Sequence, residues 1–332
     1  MNNQKQKDLG IFYTPKIVVN FIFQMLLVMK NKEDQDTERW QSHKPTHYPS
    51  VIDPACGEGI FLKTAVTSDF TGYHPVHKTP YIFGIDIDGE VVKRWEEISI
   101  LHDLFKADKK KMLDHFHQQD GLLELPQKVF SYKKGGLKEF DAVVGNPPYG
   151  GMGFSSLKDK NTKESINILE HLKSFNILGY KKRSKKTIDD NQKALWGEAT
   201  WGSQTWGGNS TPPPNIKDVE SIAIEILFID RFIQLAKQGG FIAIIIPDGI
   251  LANSTYHYVR QFIAEKTKVV GIVSLPRETF KQEGTNAKTS ILILQKETIT
   301  DFNYTVFLAS TEKLLQGNFD TILAKFKEFY DK

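Results

Sequence analysis

Asn146-Pro147-Pro148-Tyr149 sets an amide, two ring-locked backbone units and an aromatic face on four consecutive residues. Each proline fixes φ and removes a backbone donor, so the carbonyls around Asn146 and Pro147 point outward as uncommitted acceptors. Such a turn suits a flat molecule that carries an amino group. The amine donates to the Asn146 side-chain oxygen and the Pro147 carbonyl, while Tyr149 stacks on the ring. An exocyclic amine is a poor nucleophile because its lone pair is delocalised. Two acceptors on its hydrogens draw the nitrogen toward a tetrahedral shape and free that lone pair to attack an electrophilic carbon. Positioning and preorganised electrostatics suffice for this, with no metal and no strong base. A proline-rich turn after a core strand is the plainer reading of the same residues.

The turn needs a strand to present it. Phe140 to Gly145 supplies one, buried through Ala142, Val143 and Val144, and open α/β sheets bind ligands at the carboxyl ends of their strands. A second strand, Val51-Ile52-Asp53, runs into Pro54-Ala55-Cys56-Gly57-Glu58-Gly59, with a helix from near Ile60. Gly57 and Gly59 let the backbone pass close to a ligand. Leu62 stands where a dinucleotide fingerprint has its third glycine, and the Gly-Lys-Ser/Thr of a phosphate loop is missing, which argues against nucleotide phosphates.

Tyr81 to Ile87 is the next strand, ending at Asp86, where an acid can accept both hydroxyls of a ribose. Asp88 suits better the N-cap of a helix from Gly89. Phe116 to Gly121 reads as a strand ending at Asp120, an acid able to accept from an adenine amino group.

The remaining chain frames these loops. Gly10 to Pro15 is extended, and Pro15 is placed to begin a helix over Lys16 to Lys30. Only Lys16, Asn20 and Gln24 form a polar stripe on that helix, which predicts burial. Asn31 to Ser50 reads as an irregular excursion. After Tyr149 the regular pattern stops for about seventy residues, beyond an ordinary connection. That stretch holds the basic run Lys181 to Lys186 and the recurring Trp196, Trp201 and Trp206. Basic charge with interleaved aromatics can follow a nucleic acid; a solvated insertion packing on its own host explains it equally well.

Asp218 to Gln238 reads as a long helix ended by Gly239-Gly240, and Phe241 to Ile246 as a central strand turning at Pro247-Asp248-Gly249. A helix from Tyr256 to Thr267, strands Val269 to Leu275 and Thr289 to Gln295, a strand-like run Asn303 to Leu308 and a helix Thr321 to Tyr330 follow. Between the two strands, Phe280 either lines a pocket opposite Tyr149 or covers the sheet edge.

The chain has 332 residues, 40% of them hydrophobic, a formal charge of +3 and the single cysteine Cys56. It can bury a large core, cannot form an internal disulfide, and carries no global basic field for nucleic acid. The polar start lacks a signal core, and no apolar run reaches the ~20 residues of a membrane helix. These features predict a soluble, cytoplasmic protein with no membrane partner. His115 with His117 and His43 with His47 lack a third ligand, so no metal site is expected.

In order and spacing, Gly10 to Pro15, Asp53 to Gly59 and Asn146 to Tyr149 resemble the gamma-class adenine-N6 DNA methyltransferases. The likeness is greatest to the modification subunits of type I and related restriction-modification or phage-defence systems, over roughly residues 9 to 330 with the excursion at 151–215 unmatched. Leu275-Pro276 with Phe280, Gly284 and Thr289 resembles the loop after their catalytic half.

The resemblance implies a doubly wound, mostly parallel seven-stranded α/β sheet of the Rossmann-like class I methyltransferase type. Its catalytic domain would span 51–298, with 1–50 packed on it, an insertion at 151–217 and a short extension at 299–332. It implies S-adenosylmethionine as cofactor, S-adenosylhomocysteine as product, and transfer to N6 of an adenine flipped out of double-stranded DNA. Tyr13 and Thr14 would hold the carboxylate end of the cofactor, and Asp53, Pro54, Ala55, Cys56, Gly57 and Gly59 its methionine portion. Asp86 with Ile87 would take the ribose side, Asp120 with Gly121 the adenine, and Asn146 would border the cofactor. Asn146, Pro147, Pro148 and Tyr149 would grip the target base, with Phe280 as a second wall. Asp86 stands where many relatives have Glu, one methylene shorter.

Fewer than ten residues precede the first motif, and Glu-x-Lys occurs nowhere, so a fused nuclease is not expected. A target-recognition domain is also not expected in this chain, which would leave sequence choice to a partner subunit or a missing domain. The competing readings are a protein glutamine or RNA base methyltransferase, or a non-catalytic subunit that keeps the cofactor fold.

Overall fold

Strands β1 (Val51–Asp53) and β4 (Phe140–Gly145) lie side by side and parallel, with Val51 opposite Ala142, and the sheet grows outward from them. The computed structural model describes residues 13–36, 49–74, 78–96, 100–125, 139–149, 175–181, 222–283, 287–299 and 301–331. Strands β2 (Ile82–Asp86) and β3 (Phe116–Gln118) extend the sheet on the β1 side. Strands β5 (Ala236–Pro247), β6 (Lys268–Ser274), β7 (Thr289–Gln295) and β8 (Phe307–Ser310) extend it on the β4 side. The order is β3-β2-β1-β4-β5-β7-β6-β8, and β7 alone runs against the rest.

Successive strands turn one way from β1 and the other way from β4. The gap between them is thus the switch point of a doubly wound sheet, the place where such sheets receive ligands.

Strand alternation builds two cores. Val51, Ala142, Val144, Phe241, Ala243 and Ile245 face one layer. Ile52, Val143, Ile242, Ile244 and Ile246 face the other, as a period of two requires. The first layer contains α1 (Lys16–Asp36), α2 (Ile60–Thr67) and α8 (Gln316–Tyr330). Lys16 and Asn20 are exposed on α1, whereas Val18, Val19, Phe21, Ile22 and Phe23 are buried, as the polar stripe predicts. The second layer contains α5 (Ile224–Leu235) and α7 (His257–Lys266). Smaller helices α3 (Gly89–Arg94), α4 (Lys109–Leu113) and α6 (Asp248–Ala252) sit at strand ends. Among the described residues no helix is long and apolar enough to cross a membrane.

Several expectations change; the last helix, for one, starts at Gln316 and not at Thr321, and the last strand is Phe307–Ser310 and not Asn303 to Leu308. The sheet has eight strands, because the final run pairs in parallel with β6 (Gly271 opposite Phe307). Helix α1 runs to Asp36, past the expected end at Lys30. The helix expected to reach Gln238 stops at Leu235: Ala236 is already extended, and Gly239 at φ +77° makes a bulge inside β5 instead of a helix stop. Pro247 is the N-cap residue of α6, so Asp248 and Gly249 are helical.

Residues 175–181 dock on the second layer. Ile177 N–H donates to Asp230 Oδ2 at 2.8 Å, Tyr180 donates to Glu265, and the Tyr180 ring meets Phe262 edge-on at 5.1 Å. Burial pushes the Asp230 carboxyl up to about 6, against the lowering pull of donors from Ile177, Gln234 and Asn176. Folding therefore favours the protonated acid. Its contribution is present in full below the unfolded value near 3.9 and is lost as pH rises through about 6. Between pH 4 and 7 the wild type should lose about 2–3 kcal/mol relative to Asp230→Asn in thermal melts. Parallel stability curves would refute this.

Candidate active site at the switch point

The loops leaving β1 and β4 are locked together by one glycine. A Cβ on Gly145 would lie 2.6 Å from Asp53 Oδ1, so a larger residue there would push the two loops apart. Asp53 is 1% exposed and its Oδ1 accepts from the Ala55 N–H at 3.0 Å. Burial raises its pKa well above the usual carboxylate range; the Ala55 bond opposes the rise and nearby Asp86 adds to it.

Gly57 takes φ +51°, and a Cβ there would enter open space, so the loop leaves a cradle at this point. The Gly57 N–H donates to Asp86 Oδ2 at 2.8 Å, and its carbonyl accepts from Trp95 Nε1 at 2.8 Å. Gly59, at φ +78°, starts α2. Asp86 Oδ1 also accepts from the Asp88 N–H at 2.8 Å, and burial raises its pKa against these two backbone donors. Asp88 accepts from the Glu90 N–H, the capping role expected of it. Ile87, just past β2, is 57% exposed, an apolar side chain standing open beside Asp86. Cys56 is buried and free, its N–H bonded to the Ile85 carbonyl; burial, then Asp86 and Asp53, push its thiol up.

β3 ends at Gln118, two residues short of the expected strand end, so Asp120 and Gly121 lie in the loop beyond it. Asp120 accepts from the Leu122 N–H at 2.9 Å, and burial raises its pKa while that bond and Arg231 oppose the rise. Gly121 presses on the first loop: a Cβ there would lie 1.8 Å from the Pro54 carbonyl oxygen. Tyr13 reaches the same loop through Arg94, whose Nη2 donates to the Tyr13 hydroxyl at 3.5 Å and whose Nη1 pairs with Glu58 Oε1 at 2.9 Å. Thr14 is buried beside it. Gly10 to Phe12 lie outside the described residues.

After Gly145 the chain loses regular structure through Asn146, Pro147, Pro148 and Tyr149. Tyr149 is 2% exposed; burial pushes its hydroxyl up, and the neighbouring Asn146 side chain opposes the rise. Phe280, fully buried, meets the Tyr149 ring edge-on, 6.3 Å between centroids at 77°. Phe280 thus packs directly against Tyr149.

Asp53, Asp86, Asp120 and Asn146 thus lie at the carboxyl ends of adjacent strands or just beyond them. Sequence reasoning missed Glu58, Arg94, Trp95 and Arg231, which hold the loops. For Arg231 a signal existed: a charged pair inside the apolar run 226–233. Gly284, Asn286, His43, His47, residues 150–174 and 182–221, with Trp196, Trp201, Trp206 and Lys182 to Lys186, lie outside the described residues. His115 and His117 pack as ordinary side chains, His115 Nδ1 at 2.8 Å from the Ile82 carbonyl and the His117 ring at 5.3 Å from Phe83.

Against known families, the sequence matches N-6 DNA Methylase over residues 1–175 and 191–328. The chain belongs to that family. No curated protein matches the sequence significantly. Among solved structures, a putative class I S-adenosylmethionine-dependent methyltransferase from Listeria monocytogenes is 20% identical at TM-score 0.56, over 96% of this chain and 71% of that one. A modification subunit of a putative type I restriction enzyme from Vibrio vulnificus is 18% identical at TM-score 0.54, over 97% and 54%. DrdV, solved with DNA, is 12% identical at TM-score 0.56, over 98% and 30%. The N-6 DNA methylase chain spans about half the length of the Vibrio subunit. These likenesses carry the fold: a methyltransferase sheet with its loops at the switch point.

Proposed function

We propose that this N-6 DNA methylase transfers a methyl group from S-adenosylmethionine to the N6 amine of an adenine flipped out of DNA. It would act as the modification component of a restriction-modification or phage-defence system. The observation that carries the reading is the contact of Gly145 with Asp53, which joins the glycine cradle to the Asn146 turn.

The residues suit the cofactor. The cradle at Gly57 has room for a ligand close to the backbone, and the buried Asp53 and half-buried Asp86 and Asp120, all with raised pKa values, stand at neighbouring strand ends, as at many functional sites. When bound, S-adenosylmethionine supplies an electrophilic methyl on a sulfonium. Tyr13 and Thr14 flank the carboxylate end; Asp53, Pro54, Ala55, Cys56, Gly57 and Gly59 enclose the methionine portion. Asp86, with Ile87 beside it, would accept from the ribose hydroxyls, and Asp120 and Gly121 would take the adenine amine.

Asn146 Oδ1 and the Pro147 carbonyl accept from the target amine and direct its lone pair at the methyl, with Pro148 keeping the turn rigid. The bound cofactor would supply the methyl and would be left as S-adenosylhomocysteine, while the methylated amine would give up one proton to water. Tyr149 and Phe280 part to admit the base between them, exchanging an edge-on contact for stacking.

On this reading 51–298 is the catalytic domain, and 151–217 touches DNA or a partner. Sequence choice comes from a separate target-recognition subunit or domain, in keeping with the mild charge of +3.

Single-molecule sequencing of native DNA, with and without the gene, tests the reading. Methylated adenines in a defined motif should appear only with the gene. Identical genomes, with label from the cofactor entering protein or RNA, would overturn it. For the ribose role, Asp86→Ala should weaken cofactor binding by about 10²- to 10⁴-fold, the effect of losing two bonds to a charged group. Turnover at saturating cofactor should hardly change, and calorimetry with steady-state kinetics would expose the opposite pattern.

A further inference from the structure

Helix α5 is apolar from Ile226 to Ile233 except at its centre, where Asp230 and Arg231 are 0% and 5% exposed. The mechanism above uses neither. Removing a guanidinium from water is costly, and an apolar residue of similar volume often stabilises a fold as well or better. Burial indeed lowers the Arg231 pKa, against the attraction of Asp120, Asp230 and Glu124.

The partners of Arg231 lie on one loop. Its Nε donates to the Gly121 carbonyl at 3.0 Å, and its Nη2 donates to the Leu123 carbonyl. A planar fork holding two carbonyls two residues apart fixes the curvature of the chain between them, which a single ammonium does not. That loop carries Asp120, and its Gly121 lies against the Pro54 carbonyl of the cradle. The neighbouring Asp230 holds the opposite side, accepting from Ile177 in the segment 175–181 and from Gln234 Nε2 at 3.1 Å.

We propose that Arg231 is a positioning residue for the cofactor pocket. It fixes loop 120–123 against Pro54, and through Asp230 the same helical turn ties that loop to segment 175–181. The proposal rests on the cofactor reading above, and the segment is an anchored part of the long insertion. Filling the pocket should therefore tighten the segment, although the two touch α5 through different side chains.

The test uses the full chain with S-adenosylmethionine as probe, comparing wild type, Arg231→Met and Arg231→Lys by calorimetry, kinetics and hydrogen exchange. Arg231→Met should raise the dissociation constant and KM for the cofactor about tenfold or more, with kcat at saturation within about twofold. Arg231→Lys should recover part of the loss. Cofactor should slow exchange at the Ile177 amide in the wild type and leave it unchanged in Arg231→Met. A purely structural arginine would lower the melting temperature and leave affinity and the KM–kcat split alone, which would overturn the proposal. If Arg231→Met does not fold, Arg231→Lys decides: wild-type affinity in it overturns the proposal, and weakened binding with kcat kept supports it. A wild-type chain that binds no S-adenosylmethionine would overturn the cofactor reading and this proposal together.

Discussion

Asn146→Ala should lower methyl transfer by at least about 10²- to 10³-fold, the scale of losing one preorganised polar contact in the transition state. Cofactor affinity should stay within about twofold, since the three acids and the Gly57 cradle are untouched. The side chain supplies one of two acceptors that free the amine lone pair, and the Pro147 carbonyl alone leaves the nitrogen more nearly planar. The variant also removes the Asn146 amide that stands beside the Tyr149 hydroxyl, so Tyr149→Phe is the control: it loses the hydroxyl and keeps the acceptor. Rates should fall far more in Asn146→Ala than in Tyr149→Phe. Equal rates in the two would mean that the turn acts through Tyr149 orientation and not through the acceptor.

The second large effect is expected at Gly121. A Cβ there would meet the Pro54 carbonyl oxygen at 1.8 Å and its carbon at 2.8 Å. Both atoms are backbone, so no rotamer relieves the clash, and the loop after β3 must lift from the loop after β1. Gly121→Ala should therefore cost on the order of 1–3 kcal/mol of stability, as overpacking does. It should also weaken cofactor binding more than tenfold, because Asp120 moves with the loop. Thermal melting and calorimetry give the two numbers separately. A destabilised variant with unchanged affinity would detach this contact from the pocket.

What the sequence made legible was local. The strand before Asn146, the glycine loop after Asp53 and the acid at Asp86 each announce themselves within about ten residues, through apolar runs punctuated by Gly and Pro. The boundary between α5 and β5 was misread because the polar break Lys237-Gln238-Gly239-Gly240 falls after the chain has already become extended at Ala236, and the apolar residues before it do not mark where a buried helix gives way to a strand. Gly239-Gly240 looked like a helix stop and is a bulge. Contacts between distant segments left weaker traces. Gly121 against Pro54 and Arg231 against Gly121 join residues with no shared pattern, and only the oddity of a charged pair in an apolar helix hinted at the second. Tyr149 and Phe280 were placed on one pocket by resemblance; their edge-on burial against each other was not foreseen.

Helix α1 is buried partly by α8, with Phe21 and Phe319 centroids 4.8 Å apart and Lys32 bonded to the Asp331 carbonyl. During synthesis these partners emerge about 300 residues apart, roughly 15–60 s at ribosomal rates. For that interval the apolar face of α1 has no final cover, so nascent chains paused before α8 should be captured by chaperones or aggregate. The later-made helix then sets when the earlier one becomes safe, and slow folding is the expected consequence of so distant a pairing.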